Sequence, residues 1–369
     1  MNIELRIGER MPKGNRCHPY DVTNMKVGIV FNAPSKAPRG EDIDYVAELE
    51  IEEQVEAVEK ALTKLGFTYR RLPLEERGDG AKDLMDLIEA IKAFEPDVVV
   101  NLCEGAFGDS HLAMNVPSIL ELLRIPYTGS TPLTLGITQD KGLTKDILKA
   151  KGIPTPGYEI LRSFSEWRGS LDYPLFVKPL MEDASLGISR KSYVRNEEEL
   201  RRQVAYVNER YRQPAIVEEY IAGRELNIAI LGNDEPEVLP ISEIVFGFSE
   251  EPRIVDYAAK WFKDSEEYRK TVPICPAGLE ASIKKRVEAV ALEAYRSLYC
   301  RDYARVDIRL KDGTPYVLEV NANPDIAPEV GFARSLKAAG ISFEEFVGRI
   351  IAFALERGEA SKRFRDDRH

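Results

Sequence analysis

The spacing of apolar positions predicts alternating strands and helices in the first third of the chain. Val27–Phe31 and Val98–Asn101 are short apolar runs, which are typical of buried parallel strands. Between them, Gly66 ends a segment in which apolar residues follow helical spacing, namely Ile51, Val55, Val58, Leu62 and Leu65. The order strand, helix, strand, helix, strand predicts a doubly wound α/β domain. We assign it to residues 26–134, after an extension at 1–25.

The remaining pattern predicts two smaller α+β units. A helix from about Lys141 to Ala150 and strands at Leu175–Lys178 and Ala215–Glu219 define a central unit, residues 135–222. A third unit, residues 223–355, contains strands near Leu226–Leu231, Tyr303–Leu310 and Tyr316–Val320, and a solvated tail follows at 356–369. Residues 246–276 are polar and irregular in pattern. Because loops of that length in compact domains are usually functional, we interpret this segment as a lid over an active site.

Composition narrows the possible partners. The 369 residues include 51 Lys and Arg against 62 Asp and Glu, a net charge of −11, so the basic surplus that general nucleic-acid binding requires is missing. Four cysteines and three histidines are scattered without a C-x-x-C pair, which argues against a zinc site or a disulfide framework. Met1–Gly14 lacks the apolar core of a signal peptide, and no apolar run approaches the roughly 20 residues of a membrane span. We therefore expect a cytoplasmic protein with neither a nucleic-acid nor a membrane partner.

Two consecutive predicted strands near the C-terminus carry the clearest candidate chemistry. Side chains alternate between faces along a strand, so Arg305 and Asp307 share one face of the first strand, and Glu319 and Asn321 share one face of the second. Two carboxylates and an amide oxygen on a common face would suit Mg²⁺ or Mn²⁺, hard cations that take oxygen ligands. The alternative is an ordinary hairpin with one solvated face.

The register of this hairpin decides whether the polar residues of the two strands lie on the same face of the sheet. A regular ladder closed by a two-residue Asp312-Gly313 turn would pair Asp307 with Leu318 and place the polar residues on opposite faces. A three-residue loop or a β-bulge pairs Asp307 with Glu319 and Arg305 with Asn321 instead. We therefore predict one of these two irregularities, with Leu318 and Val320 turned to the other side.

Other segments suggest a nucleotide-binding site. Lys178 leaves an apolar strand into a loop, where a lysine can hold a phosphate as a point charge, and Lys141 and Lys145 lie four residues apart on one helix. Main-chain amides at Glu218–Ile221 could read a purine edge, and the Glu225 carboxylate could bind ribose hydroxyls. Each of these residues taken alone is also explained as a solvated surface group, so their order along the chain is the informative feature.

This order resembles the ATP-grasp superfamily, and within it the D-alanine–D-alanine ligases. The matching segments are Ile125–Ser130, Asp140-Lys141, Phe176–Pro179, Glu218–Glu225, Asp256–Lys260, Cys275–Leu279, Arg305–Asp307 and Glu319–Asn321. The resemblance implies an N-terminal α/β domain followed by a central and a C-terminal lobe that clasp ATP between them.

The resemblance also implies a role for each matching residue. Lys141 and Lys178 would contact the ATP phosphates, Glu218, Glu219, Tyr220 and Ile221 the adenine, and Glu225 the ribose. Asp307, Glu319 and Asn321 would bind Mg²⁺ or Mn²⁺. Lys260 would close over the γ-phosphate with the lid, and Arg305 would stabilise the charge of a tetrahedral intermediate.

The implied activity is ADP-forming ligation of a small carboxylate to an amine through an acyl phosphate, in a protein that could be a homodimer. By gapless counting, the family's substrate-reading residues are replaced here by Leu49, with Glu48 and Glu50 beside it, and by Ala184, Trp261 and Val330, and its His-Gly is replaced by Glu104-Gly105. These departures predict an altered substrate pocket and substrates other than two D-alanines. A compensating residue such as Arg334 or Glu329 is an alternative that would restore amino-acid binding. Two alternatives stay open, an ATP-grasp phosphotransferase and a nucleotide-binding module without catalysis.

Overall fold

A computed structural model describes residues 24–366, except for residues 35–38, 42–44, 46–48, 263 and 329. The predicted extension at 1–25 therefore falls almost entirely outside the described residues. Within the described residues the strands form three sheets of three, four and six strands. None of the helices in this part of the chain is long and apolar enough to cross a membrane.

The first sheet is the parallel one that the apolar pattern predicts. Its strand order is β2-β1-β3, and the strands are β1 (Lys26–Asn32), β2 (Thr68–Leu74) and β3 (Val98–Asn101). The helices around it are α1 (Glu50–Leu65), α2 (Gly80–Phe94) and α3 (Asn115–Leu123). Gly66 ends α1 in the left-handed conformation, as predicted, at φ 83°.

The second sheet is antiparallel, with the order β4-β7-β5-β6. Its strands are β4 (Tyr158–Leu161), β5 (Leu175–Pro179), β6 (Tyr193–Val194) and β7 (Ala215–Glu219). The helices of this region are α4 (Pro132–Gln139), α5 (Lys141–Ala150) and α6 (Glu197–Arg210). Lys178 thus lies in β5, with the hinge to the third sheet directly after β7.

The third sheet has the order β11-β10-β8-β12-β13, and β9 pairs with β8. Its strands are β8 (Arg224–Leu231), β9 (Glu237–Val238), β10 (Ser242–Phe246), β11 (Thr271–Ile274), β12 (Tyr303–Lys311) and β13 (Thr314–Asn321). The helices are α7 (Tyr257–Trp261), α8 (Glu266–Lys270), α9 (Ala281–Ser297), α10 (Gly331–Ala339) and α11 (Phe343–Asp366).

The β12–β13 hairpin confirms the predicted pairing and identifies its cause. Asp307 lies opposite Glu319 and Arg305 opposite Asn321, because a bulge interrupts the ladder after Asp307. The turn has only two residues, with φ 49° at Asp312 and 75° at Gly313, so the bulge was correct and the three-residue loop was wrong. Leu318 is the extra residue, and it is half-buried, unlike the fully buried Val320 predicted to point the same way.

Two segments are more ordered than the sequence pattern indicated. The predicted lid loop contains α7, α8 and the edge strand β11, which pairs with β10. The segment predicted as a solvated tail begins as helix, because α11 continues past Leu355. Arg357 on this helix forms an ion pair with the fully buried Asp302 and donates to the Tyr127 carbonyl oxygen at 2.9 Å. These contacts fasten α11 to the first domain.

Candidate active site

Helix α5 presents two buried lysines on one face. Asp140 caps the helix by accepting hydrogen bonds from the amides of Gly142 and Leu143, at 2.9 and 3.0 Å. The cap fixes the first turn, so that Lys141 and Lys145, four residues apart, share the inward face. Their exposed fractions are 3% and 0%. The solvated alternative considered for this pair is therefore wrong.

Lys145, Glu218 and Lys178 form a buried ion cluster. The two Glu218 carboxylate oxygens lie 3.0 Å from Lys145 Nζ and 3.2 Å from Lys178 Nζ. Burial alone would raise the pKa of Glu218, but Lys145 and Lys178 outweigh it and lower that pKa below its usual range. Burial, helped by the charge of Lys178, lowers the pKa of Lys145 to about 8. The cluster carries an excess of one positive charge, which suits an anion beside Lys178.

Glu319 lies across from this cluster, on the third sheet. Its carboxylate is 3.9 Å from Lys178 Nζ, so the second and third sheets face each other across these side chains. Burial acts to raise the pKa of Glu319, yet Lys141, Lys178 and Arg305 together lower it to about 2. Glu319 is therefore ionised at neutral pH, as a metal ligand must be.

Asp307 is held by three neighbouring side chains. Its Oδ1 accepts hydrogen bonds from Asn227 Nδ2 at 2.7 Å and Arg305 Nε at 2.8 Å. Its Oδ2 accepts from Arg305 Nη2 at 2.9 Å and Asn321 Nδ2 at 3.1 Å. Since Asn321 turns its amide nitrogen toward Asp307, its Oδ1 is left as an oxygen donor for a cation.

The donor set at this hairpin fits a hard divalent cation. In the described part of the chain, no group of three or more His, Cys, Asp or Glu side chains could hold a metal by itself. Asp307 and Glu319 supply two carboxylates, and Asn321 supplies an amide oxygen. Mg²⁺ keeps several waters and usually shares its ligands with substrate phosphates, so a site with few protein ligands is consistent with it.

Some groups of the hinge between β7 and β8 already form hydrogen bonds within the protein. The amides of Glu219 and Tyr220 donate to the carbonyls of Gly157 and Pro174 at 2.9 and 3.2 Å. The Glu219 side chain is exposed and accepts from the Gly157 amide at 2.7 Å, whereas Ile221 is buried. The hinge backbone after Tyr220 is thus the part suited to meet a base edge.

A group of carboxylates, the acidic wall, surrounds Lys260. It consists of Glu50 at the start of α1, Glu104 after β3, and Asp325 after β13. Lys260 Nζ lies 3.6 Å from Glu50, and Gln54 donates to Glu104 at 2.7 Å. Desolvation, reinforced by Asp325 and opposed by Lys260, raises the pKa of Glu50 to about 7 and that of Glu104 to about 8. Through Asp325 the wall also interacts electrostatically with Arg305.

Most of the residues predicted from the sequence lie together at the junction of the second and third sheets. Lys141, Lys178, Asp307, Glu319, Asn321 and Arg305 form one charged group, and Glu225 and the hinge lie farther along the third sheet. Lys260 lies beside the acidic wall instead.

Sequence reasoning missed two partners of this group and discounted a third. Asn227 faces Asp307 across β8 and β12, and Arg309 faces Glu225 two residues along. Strand alternation from Glu225 and Asp307 could have identified both. Lys145 cannot be distinguished from a solvated surface lysine by its spacing alone, because lysine pairs at this spacing are common on helix surfaces.

Comparisons with known proteins point to one family. A family model described as D-ala D-ala ligase C-terminus matches residues 147–352. The D-alanine–D-alanine ligase of Carboxydothermus hydrogenoformans is 33% identical over 313 residues, which cover 82% of this chain and 92% of that protein. An uncharacterized protein of Sinorhizobium fredii is 36% identical over 285 residues, covering 76% of this chain and 82% of that protein.

Solved structures agree in fold. The D-alanine–D-alanine ligase of Bacillus anthracis, complexed with ATP, superposes with a TM-score of 0.70 at 28% identity. The match covers 91% of this chain and 99% of that one. The VanG D-Ala:D-Ser ligase of Enterococcus faecalis, at 24% identity and a TM-score of 0.67, shows the shared fold alone. It covers 89% of this chain and 98% of that one.

Proposed function

This chain belongs to the D-alanine–D-alanine ligase family of ATP-grasp enzymes, and from that premise we propose the roles of its residues and the nature of its substrates. It is an ATP-dependent ligase that forms a C–N bond between a small carboxylate and an amine through an acyl phosphate. The single observation that carries our assignment is the convergence of Lys141, Lys178 and Arg305 on Glu319, paired across the hairpin with Asp307.

The lysines and the hairpin carboxylates have different roles in ATP binding. Lys141 and Lys178 hold the phosphates, and the Glu218 carboxylate fixes Lys178 in place from behind. Asp307, Glu319 and Asn321 hold Mg²⁺ or Mn²⁺, which supplies charge neutralisation during phosphoryl transfer when bound. The hinge at Glu218–Ile221 receives the adenine, and Glu225 accepts hydrogen bonds from the ribose.

Arg305 and Lys260 act at the acyl group. Arg305 is fixed by two hydrogen bonds to Asp307, and Asp307 raises its pKa above the ordinary value although burial opposes this. A guanidinium that is already oriented stabilises a developing oxyanion without reorganisation. Lys260 comes from the lid and closes over the γ-phosphate.

The acidic wall supports a carboxylate substrate that carries a positively charged amino group, which D-alanine also has, so our proposal of other substrates rests on the replacements at Ala184, Trp261 and Val330. Glu50, Glu104 and Asp325 place up to three negative charges beside Lys260 and Arg305. Burial removes water from these carboxylates, and a substrate ammonium group would replace that water as their partner. By the family resemblance, Glu104 stands where the family has a histidine. We therefore assign this wall to a positively charged amino group of the carboxylate substrate.

A release assay tests the proposed function. Purified protein with ATP and Mg²⁺ is screened for ADP against pairs of carboxylates and amines, with Glu319→Gln as the inactive control. We expect ADP, free phosphate and an amide product identified by mass. Rapid turnover of D-alanine alone would contradict the altered pocket. ADP formed with a phosphorylated product, but without amide or free phosphate, would favour a phosphotransferase.

The three sheets support the proposed division at residues 26–134, 135–222 and 223–355. The contacts of Arg357 extend the last unit beyond residue 355. Independent folding of residues 26–134, measured by circular dichroism on the isolated segment, would test the first boundary.

We also propose a cytoplasmic homodimer. Leu122 on α3 and Leu133 on α4 are exposed by 83% and 65%, and Tyr299, whose carbonyl accepts from Thr134, is exposed by 68%. The family resemblance is what implies a dimer, and we propose these exposed apolar side chains as the place of its contact. Light scattering after gel filtration, with Leu122→Glu as the disrupting variant, measures the oligomeric state directly.

A further inference from the structure

Arg309 is a buried arginine on the nucleotide-binding face of the third sheet. It lies two residues beyond Asp307 on β12, so the two side chains share a face, and its cross-strand neighbour on β8 is Glu225. Its exposed fraction is 4%. A buried guanidinium is retained only where acceptors satisfy it, so its contacts identify what it organises.

The guanidinium joins three separate segments. Its Nη1 donates to the Gly223 carbonyl oxygen of the hinge at 3.1 Å. Its Nη2 donates to Glu225 Oε2 at 2.5 Å and to the carbonyl oxygen of Arg253, at the start of the lid segment. The planar fork of arginine can reach three acceptors in this way, whereas an ammonium group lacks that geometry.

Aromatic rings complete the surroundings of this guanidinium. Its Cζ lies 5.9 Å from the centre of the Tyr220 ring and 5.7 Å from that of Phe246. The Tyr220 hydroxyl accepts from the Arg253 amide at 3.0 Å and donates to Glu251. The hinge and the base of the lid therefore meet at Arg309.

The arrangement leaves Glu225 oriented as an acceptor. Arg309 binds one carboxylate oxygen, Oε2, and a carboxylate retains Oε1 for other donors. Burial raises the pKa of Glu225, and Arg309 opposes that rise, so the arginine favours the ionised form. Gly223 allows the close approach, because a Cβ there would lie 2.3 Å from the Leu310 carbonyl oxygen.

We propose that Arg309 is a positioning residue for ATP, which aims the Glu225 carboxylate at the ribose hydroxyls and fastens the base of the lid to the hinge. This inference rests on the proposed function, because it takes Glu225 as the ribose contact. Arg309 itself acts through Glu225 and through the backbone of Arg253.

Binding measurements test the ribose half of the proposal without knowledge of the acceptor substrates. Dissociation constants for ATP, 2′-deoxyATP and 3′-deoxyATP, each with Mg²⁺, are measured by calorimetry for the wild type and for Arg309→Met, Glu225→Gln and the double variant. A hydrogen bond to a charged group predicts that the wild type prefers ATP over at least one deoxy analogue by roughly tenfold or more. We expect Arg309→Met to lose most of this preference, and the double variant to bind ATP no more weakly than Glu225→Gln.

Proteolysis of segment 246–276 with and without ATP tests the proposal that Arg309 fastens the base of the lid to the hinge. Arg309→Lys keeps a charge beside Glu225 but lacks the fork, so it should retain part of the ribose preference while losing nucleotide protection of the lid. Arg224→Met is the matched control, since Arg224 precedes Glu225 and pairs with Glu243 near the surface. It should behave as the wild type.

The outcomes separate this inference from the function on which it rests. A wild type that binds no ATP, or binds all three nucleotides equally, would refute the assignment of Glu225 and this proposal with it. A wild type that discriminates, with Arg309→Met discriminating equally well, would refute the positioning role alone. If circular dichroism shows that Arg309→Met is unfolded, Arg309→Lys takes its place. Unchanged protection of the lid by ATP in Arg309→Lys would then refute the lid contact. Additive losses of ATP affinity when Arg309→Lys and Glu225→Gln are combined would refute the action through Glu225.

Discussion

Glu218 shows how a single buried residue can set the charge of the active site. Its carboxylate contacts both buried lysines, so the three side chains together carry one excess positive charge, which suits the phosphate that we propose beside Lys178. Thr155 supports the arrangement, since its hydroxyl accepts from Lys145 at 2.9 Å and donates to the Val317 carbonyl oxygen at 2.8 Å. The cluster thus connects α5, β7 and the β12–β13 hairpin through polar groups that satisfy one another.

Removing the central carboxylate should cost more stability than removing one lysine. Glu218→Gln removes the counter-charge of Lys145 and leaves Lys178 with only the Glu319 carboxylate, 3.9 Å away, so we expect a loss of about 3–5 kcal/mol in the free energy of unfolding. Lys145→Met keeps the Glu218–Lys178 pair and should cost about 1–2 kcal/mol. Urea denaturation of both variants measures the difference. Equal losses of stability in the two variants would contradict this charge balance.

The acidic wall predicts a pH-dependent affinity for the amino-bearing substrate. Glu50 and Glu104, with pKa values of about 7 and 8, hold protons below those values and then attract a cation only weakly. The KM for that substrate should therefore fall as the pH rises from 6 to 9. Glu104→Gln should remove the upper inflection of this profile, whereas a profile identical to that of the wild type would exclude Glu104 from substrate binding.

At the scale of elements, the β12–β13 hairpin determines whether the proposed metal ligands meet. Its two-residue turn fixes the outer pairing, and the bulge at Leu318 then brings Glu319 opposite Asp307. The bulge lies next to the site that it serves, where such irregularities commonly re-aim a side chain. The bulge therefore places the two carboxylates of the proposed metal site opposite each other.

The turn of this hairpin should tolerate substitution poorly. Gly313 has φ 75°, a conformation that β-branched residues avoid, so we expect Gly313→Val to lower the free energy of unfolding by about 1–2 kcal/mol. Gly278→Ala is the control, because a Cβ there meets nothing within 4 Å. It should be neutral or slightly stabilising. Equal urea midpoints for the two variants would contradict the strained turn.

At the scale of the whole molecule, charges from different segments depend on one another. Arg357 on α11 reaches Asp302, which also accepts from the Gly129 amide of the first domain at 2.8 Å. Arg39 lies 3.1 Å from Glu182 in the loop after β5 and 2.6 Å from Asp109. These pairs hold the first domain against both lobes, so we expect the parts to respond together to changes in charge.

Acid should therefore unfold the protein in a range set by the active site. The folded-state pKa of Glu319, about 2, lies below the ordinary 4.5, so the stability it contributes is present above pH 4.5 and is lost as the pH falls toward 2. Glu218 acts in the same direction. Melting temperatures between pH 5 and 2.5 should fall less steeply for Glu319→Gln than for the wild type. Parallel curves would show that Glu319 is not paired in the folded state.

The sequence alone determined the order of the elements and the parallel first sheet, and it singled out the residues that we propose for phosphate and metal binding. Apolar periodicity and strand alternation are local properties, and they were enough to place Asp307 and Glu319 on one face once an irregularity was required. The same reasoning identified Gly66 as a helix end, because an unhindered left-handed residue is needed there.

Only the tertiary structure decided which charges meet. Lys145, Asn227 and Arg309 gain their importance from neighbours that are distant in the chain, such as Glu218 for Lys145. The ordered start of the C-terminal segment likewise depends on Asp302, which is 55 residues from Arg357. Burial and Coulomb interaction act through space, so residue spacing could propose these groups but could not pair them.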